Sequence, residues 1–444
     1  MFILRDLLTP LQTAFSDTEK GQERATWFIY TLVAILIPLT CARTSNLLRS
    51  LNSLFGMSIS LRRYYTFMAS PKLPWKKIWK ILWKKIPQPF TDGRLILALD
   101  DSINVKTGLK IFACQYFFDH AANTNQASYP WSQNIVLVGL LKQIHGRWSC
   151  LPMGFAFYFM QKTLDQQAVK MGKVSLTFKT KFEQAGQIIL SIAEVFTQVP
   201  VLVVTDSWFG NRGLLKPLRG AIGQRAHILS RLRVNAALYA LPEPCTGQVR
   251  RGRPRKYGKR LGSVADRAAQ VQSLTKTYTI SLYGRDQEVQ AIDEIVMLKS
   301  LRCKVRVVWV FRRQQWIALM TTDLDLSVAQ IIEYYGARWK IEAGFKEIKQ
   351  EIGSASSQTR NPFAVTNHLQ FCMAATMLVW LYAMRLEKTP ARRYATQKRT
   401  QFTFADVRRT IAHEVGQVNF DIGCPKPVKP AKNSLIRTFM RLVA

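Results

Sequence analysis

The chain has 444 residues, of which 63 are Lys or Arg and 28 are Asp or Glu, giving a net charge of +35. A compact fold with that excess repels itself unless a polyanion shares the work, so nucleic acid is favoured as partner over an anionic membrane surface: each neutralised phosphate releases a counterion. The seven cysteines are scattered and form no CxxC pair, which argues against a zinc ribbon or a disulfide framework and for buried free thiols in a reducing cytoplasm.

Residues 1–90 read as a helical, basic, DNA-binding segment. Within it, Trp27–Thr40 (WFIYTLVAILIPLT) is apolar. At about 14 residues, with Pro38 inside, it is too short to span a bilayer and is expected to be a buried helix. Further on, Trp75, Ile78, Trp79, Leu82, Trp83 and Ile86 recur at helical spacing, with Lys76, Lys77, Lys80, Lys84 and Lys85 on the other face. Pro74 and Pro87 bracket that helix, and its apolar face is expected to pack on the next domain.

Residues 91–231 change to an α/β pattern. Buried strands are predicted over 94–100, 110–118, 134–141, 199–205 and 226–230, with helices over 181–197 and from about 210. Residues 232–305 read as a β-rich insertion that carries the run RRGRPRKYGKR (250–260) and strand-like stretches at 276–283 and 287–298. The core resumes over 306–386, with strands near 304–311 and 315–322, a long helix over 327–351 and an apolar helix over 364–386. A basic tail, 387–444, follows; its Arg392, Arg393, Lys398 and Arg399 are expected to assist DNA binding or assembly.

In a chain so poor in acids, aspartates that end apolar strands are informative. Asp100 and Asp101 close LILALDD, and Asp206 closes VLVVTD. Strand ends present side chains to a crevice in α/β scaffolds, although such aspartates also cap turns. On the 327–351 helix, Tyr335, Arg338, Glu342 and Lys349 fall within an arc of roughly 60°, with Lys346 beside it and the core face adjacent. Glu333 and Glu347 point elsewhere. One reading is a ladder of i,i+4 ion pairs, Arg338 with Glu342 and Glu342 with Lys346. The other is a metal site: three converging acids hold two divalent ions, Mg²⁺ or Mn²⁺, for phosphoryl displacement, with the neighbouring cations gripping DNA phosphates.

The spacing Tyr335-x2-Arg338-x3-Glu342-x6-Lys349 resembles the YREK signature of DDE transposases carried by bacterial insertion sequences. That resemblance implies a ribonuclease-H-like catalytic core, with Asp101, Asp206 and Glu342 as catalytic metal ligands. Asp101 is preferred because Ser102 follows it, and Asp100 is its alternative. Tyr335, Arg338 and Lys349 would contact transposon-end DNA. The resemblance further implies a homodimer on paired ends of double-stranded DNA, no membrane and no organic cofactor, in the bacterial cytoplasm at the nucleoid. Trp208 or Trp339 could stack on a flipped base, or simply pack. Two other classes remain: a metal-dependent nuclease or resolvase that cuts without joining, and an inactive DNA-binding descendant.

Arg251-Gly252-Arg253-Pro254 reproduces an AT-hook core, extended by Arg255 and Lys256. It reads either as an arm for an A·T-rich minor groove or as a mobile basic loop on phosphates.

Overall fold

The structure is a computed structural model that describes residues 2–119, 122–166, 168–242, 255–282, 284–312, 315–396, 400–417 and 420–423. Its organising strand is β1 (Leu95–Val105), whose residues Leu95 to Leu99 are buried. A run apolar on both faces must be covered on both faces, which makes it a central strand. β1 pairs antiparallel with β3 (Trp131–Ile144) and parallel with β7 (Val201–Thr205). β4 (Arg147–Tyr158) lies antiparallel on β3, as does the short β2 (Cys114–Tyr116), while β8 (Ala226–Arg231) lies parallel on β7. The order β4-β3-β1-β7-β8, an antiparallel meander followed by two parallel strands, is a ribonuclease-H-like core.

The sheet does not stop there. β9 (Ala237–Tyr239), β10 (Arg260–Ser263), β11 (Lys276–Leu282), β12 (Arg285–Leu298), β13 (Cys303–Arg312) and β14 (Gln315–Thr321) extend it through β14, which pairs antiparallel with β8. Twelve strands form this sheet; β5 (Lys170–Met171) and β6 (Val174–Ser175) form a separate small ribbon.

Helices cover both faces. One face takes α7 (Lys181–Ala193), begun by a capping box between Thr180 and Glu183, and α8 (Arg212–Ile222), capped by Asn211. The other takes α10 (Val328–Ala337), α11 (Lys340–Lys346) and α12 (Pro362–Ala383). α12 is long and apolar enough to cross a membrane, but 89% of its apolar window is buried inside the protein. It is the post on which the N-terminal helices stand. These are α1 (Ile3–Leu8), α2 (Glu19–Leu36), α3 (Thr44–Ser53), α4 (Leu61–Met68) and α5 (Trp75–Lys84). Residues 27–36 of α2 are buried, as expected of the apolar stretch. The apolar face of α5 docks through its tryptophans: Trp75 Nε1 donates to Asn367 Oδ1 (2.8 Å), Trp79 Nε1 to Gln370 Oε1 (2.6 Å) and Trp83 Nε1 to the Met153 carbonyl (3.2 Å).

Four sequence expectations change. β1 does not end at Asp100 but runs on to Val105, because β3 offers it partners along that whole length. The stretch 147–158, not assigned from sequence, is a full strand. The expected single helix over 327–351 is broken in two, with Arg338 and Trp339 in a tight turn between α10 and α11 and a π-helical turn at Glu347–Glu351. The basic tail also contributes a buried helix, α13 (Phe404–Val415), whose Arg408 donates to the carbonyls of Ile35 and Leu36.

Asn367 concentrates the N-terminal docking, since its Nδ2 also donates to the carbonyls of Met68 and Ser70, each at 2.8 Å. Asn367→Ala should therefore destabilise the protein by about 3 kcal/mol, from stranding buried groups on both sides. A lowered urea-unfolding midpoint, with early loss of protection in α4 and α5 by hydrogen exchange, checks this.

Candidate active site

The parallel register of β1 and β7 aligns Ala98 with Val204 and Leu99 with Thr205. The next positions in that register are Asp100 and Asp206, and aligned residues of parallel strands project from the same face. β7 ends at Thr205 while β1 continues, so one edge of β1 opens at Asp100. That is a crevice of the kind where α/β sheets present chemistry. Asp206 is held by its own turn: its Oδ1 accepts from the backbone N–H groups of Trp208 and Phe209, both at 3.0 Å. Gly210 lets that turn press on β8, for a Cβ there would stand 2.0 Å from Ser230 Oγ. Turn capping thus uses one oxygen of Asp206 and leaves the carboxylate facing the crevice.

Arg338 faces the same crevice from between α10 and α11. Its Nη1 donates to Asp100 Oδ2 at 3.0 Å, and its Nη2 stands 3.6 Å from Glu342 Oε1. The Arg338 N–H is shared between the carbonyls of Tyr334 and Tyr335, and the Trp339 N–H reaches back only to Gly336. Arg338 is buried at 7% exposure, with its guanidinium over the rings of Tyr335 and Trp339. Burial pushes the Asp100 carboxyl up to about 7; Arg338 opposes that push, and the charge of Asp206 adds to it. Glu342 is also raised by burial against the pull of Arg338, although its side chain is 43% exposed.

Asp101, preferred from sequence, points the other way. Successive residues of a strand alternate faces, so Asp101 projects toward α7, where its Oδ2 accepts from Lys181 Nζ and Asn134 Nδ2, each at 2.8 Å. The structure therefore brings together Asp100, Asp206, Arg338 and Glu342, and separates Asp101 from them. Lys181 and Asn134 were not anticipated, and nothing local in the sequence marks them.

The other expected residues divide. Tyr335 flanks Arg338, its hydroxyl held above the usual phenol range by burial. Lys346 is exposed and forms no ion pair with Glu342 among the described residues, so only the Arg338 rung of the expected ladder exists. Lys349 is not turned outward: it donates to Ser102 Oγ at 2.6 Å and to the Ile103 carbonyl, and burial lowers its ammonium to about 8. It fastens the π-helical turn to β1. Trp208 lies stacked on Phe182 at 4.7 Å yet remains 42% exposed, and Trp339 is 51% exposed. Arg251, Arg253, Lys398 and Arg399 lie outside the described residues. Arg255 and Lys256 are exposed, and Lys256 borders an open basic surface with Tyr257, Lys299 and Arg302.

Among the described residues, no group of three or more His, Cys, Asp or Glu side chains stands close enough to hold a metal ion. The reason is visible at Arg338, whose guanidinium occupies the space between Asp100 and Glu342. The donor chemistry nonetheless fits a hard divalent cation: two carboxylates share one sheet face, and burial and mutual repulsion hold the Asp100 proton on.

The chain matches a family described as DDE superfamily endonuclease over residues 22–311. It belongs to that superfamily. The matched stretch contains Asp100, Asp101 and Asp206 and stops before Glu342. No curated protein matches the chain. Membership relates the chain by descent to DDE-type nucleases and is consistent with metal-dependent chemistry at the acidic crevice.

The Asp100 shift has a sign that can be tested. A carboxyl raised from 3.8 to about 7 adds stability only while protonated, so its contribution is lost as pH climbs between those values. The buried Glu347, raised to about 8, acts in the same direction. In chelator, the melting temperature should fall from pH 5 to pH 8, and Asp100→Asn should remove part of that slope. Added Mg²⁺ should raise the melting temperature of the wild type more at pH 8 than at pH 5, because the proton no longer competes. Equal Mg²⁺ effects at both pH values would count against cation binding at Asp100.

Proposed function

We propose that this DDE superfamily member is a transposase of the YREK-signature group, cutting DNA at element ends and joining it to target DNA. The observation that carries the reading is the convergence of Asp100 and Asp206 on one sheet face with Arg338 and Glu342 opposite them. The spacing of Tyr335, Arg338, Glu342 and Lys349 supports the subgroup, and the charge of +35 supports a double-stranded DNA partner.

In this reading Asp100, Asp206 and Glu342 would hold two Mg²⁺ or Mn²⁺ ions, which would supply Lewis acidity to an in-line phosphoryl displacement. Asp100 takes the place that the sequence had given to Asp101. Arg338 balances the charge of Asp100 and Glu342 in the free protein, and its planar fork suits a phosphate once DNA arrives. Tyr335 and Trp339 limit where that guanidinium can swing. Lys349 keeps the helix bearing Glu342 in register with β1. Water attacks the phosphodiester at the element end and releases a 3′-hydroxyl, which then attacks a target phosphodiester and expels its 3′-oxygen. The N-terminal helices and the run through Arg255 and Lys256 serve as DNA contacts. The protein works as a homodimer on paired ends, in the bacterial cytoplasm at the nucleoid.

The bridging position of Arg338 favours one second reading, a DNA-binding descendant in which the guanidinium has permanently replaced the cations. One experiment separates them. A labelled duplex carrying the DNA that flanks the gene is incubated with Mg²⁺ and wild type, Asp100→Asn, Asp101→Asn or Glu342→Gln, and nicking and gel-shift binding are recorded. Wild type should nick. Asp100→Asn and Glu342→Gln should bind equally but nick at least about 100-fold less, the scale of losing one transition-state contact. Asp101→Asn should stay within tenfold of wild type. Binding without nicking by wild type would leave the descendant, and strand-transfer products on a supercoiled plasmid distinguish a transposase from a nuclease.

A further inference from the structure

A groove of about 1000 Å³ lies between the N-terminal helices α3 and α4 and the loop that leads into α12. Its walls carry Arg43, Arg62 and Arg360, and no aspartate or glutamate lines it. All three arginines are exposed, and none forms an ion pair among the described residues. Their neighbour Arg63 makes the contrast clear, since it is committed to Glu23 at 2.8 Å and to the face of Trp27. Like charges gathered around one concavity raise the local concentration of anions there.

Strand β1 links the groove to the acidic crevice. Thr107, just past the end of β1, lines its floor beside Gln358, and Asp100 lies seven residues earlier on the same strand. At about 3.3 Å per residue, the two are at most about 23 Å apart, which is the length of roughly seven base pairs of duplex. Tyr65, 41% exposed, offers a flat apolar surface at the rim, suited to a sugar ring.

We propose that this groove is a track for the sugar-phosphate backbone of DNA bound across the crevice at Asp100 and Asp206. The contact is to phosphates and is independent of sequence: arginines on a loop and two helix starts supply charge at three points. It explains why the N-terminal helices are docked so firmly on α12, because a track helps only if it is fixed relative to the acids. The proposal rests on the DNA reading above, although not on cleavage itself.

The test is the salt dependence of binding to a labelled 30-bp duplex of random sequence, followed by anisotropy in chelator. The full chain is compared with Arg43→Ala/Arg62→Ala/Arg360→Ala and with a control losing equal charge elsewhere, Lys20→Ala/Lys216→Ala/Lys388→Ala. Each phosphate contact contributes about 0.9 to the slope of log affinity against log salt. The groove variant should lose about 2 to 3 units of slope, the control less than about 1, and both should melt as wild type does because every replaced side chain is exposed. An unchanged slope in the groove variant, or an equal loss in the control, overturns the proposal. Nicking by wild type is scored separately in Mg²⁺, so the groove can stand if cleavage fails and can fall while cleavage stands. Wild type that ignores the duplex but floats with anionic phosphatidylserine vesicles overturns both.

Discussion

The pairing of β1 is the constraint from which the rest of the molecule follows. Its first half is apolar and paired on both edges, so it must lie at the centre of the sheet with helices on each side. Its second half keeps β3 but loses β7 after Leu99, and that mismatch in strand length opens the crevice at the point where Asp100 sits. A carboxylate held there is partly desolvated and next to a second carboxylate. Such an arrangement is costly without a cation, and in this protein Arg338 supplies the charge. Arg338 stands at the break between α10 and α11, from where its guanidinium reaches the strand.

A second dependency runs through α12. It is apolar all round because it is enclosed all round, by the sheet on one side and the N-terminal helices on the other. Polar residues on it do the positioning. Asn367 and Gln370 receive the indole N–H groups of Trp75 and Trp79, and Asn361 starts the helix at the edge of the arginine-lined groove. Burying tryptophan while satisfying its N–H fixes orientation as well as adding apolar area. The amphipathic α5 has its apolar face occupied by the protein's own core, the packing that its sequence pattern led one to expect.

The distribution of charge completes the picture. Few acids are available to 63 basic residues, and many of those acids are spent on specific structural partners: Asp323 on Arg94, Asp406 on Arg409, Glu294 on Arg267. Cations beyond these pairs remain at the groove and along the hairpin surface near Lys256. Lys106 and Lys349 are exceptions, both drawn inward onto backbone carbonyls. There a positive charge ties loops to β1.

The sequence by itself determined the α/β class, most of the strands and the superfamily. Those depend on local quantities: apolar runs, helical spacing, and acids that stand out against a basic background. Strand β4 is not legible in the sequence, because RWSCLPMGFAFY contains Pro152 and Gly154 and lacks a clean alternation. Choosing between Asp100 and Asp101 was beyond the sequence, because adjacent residues on a strand buried on both faces look alike until β7 fixes which face carries Asp206. The same holds for Lys349, whose helical phase was read from an ideal period that the tight turn and the π-helical turn both alter. The sequence set which residues could act; register and helix breaks, which depend on contacts between distant segments, decided which of them meet.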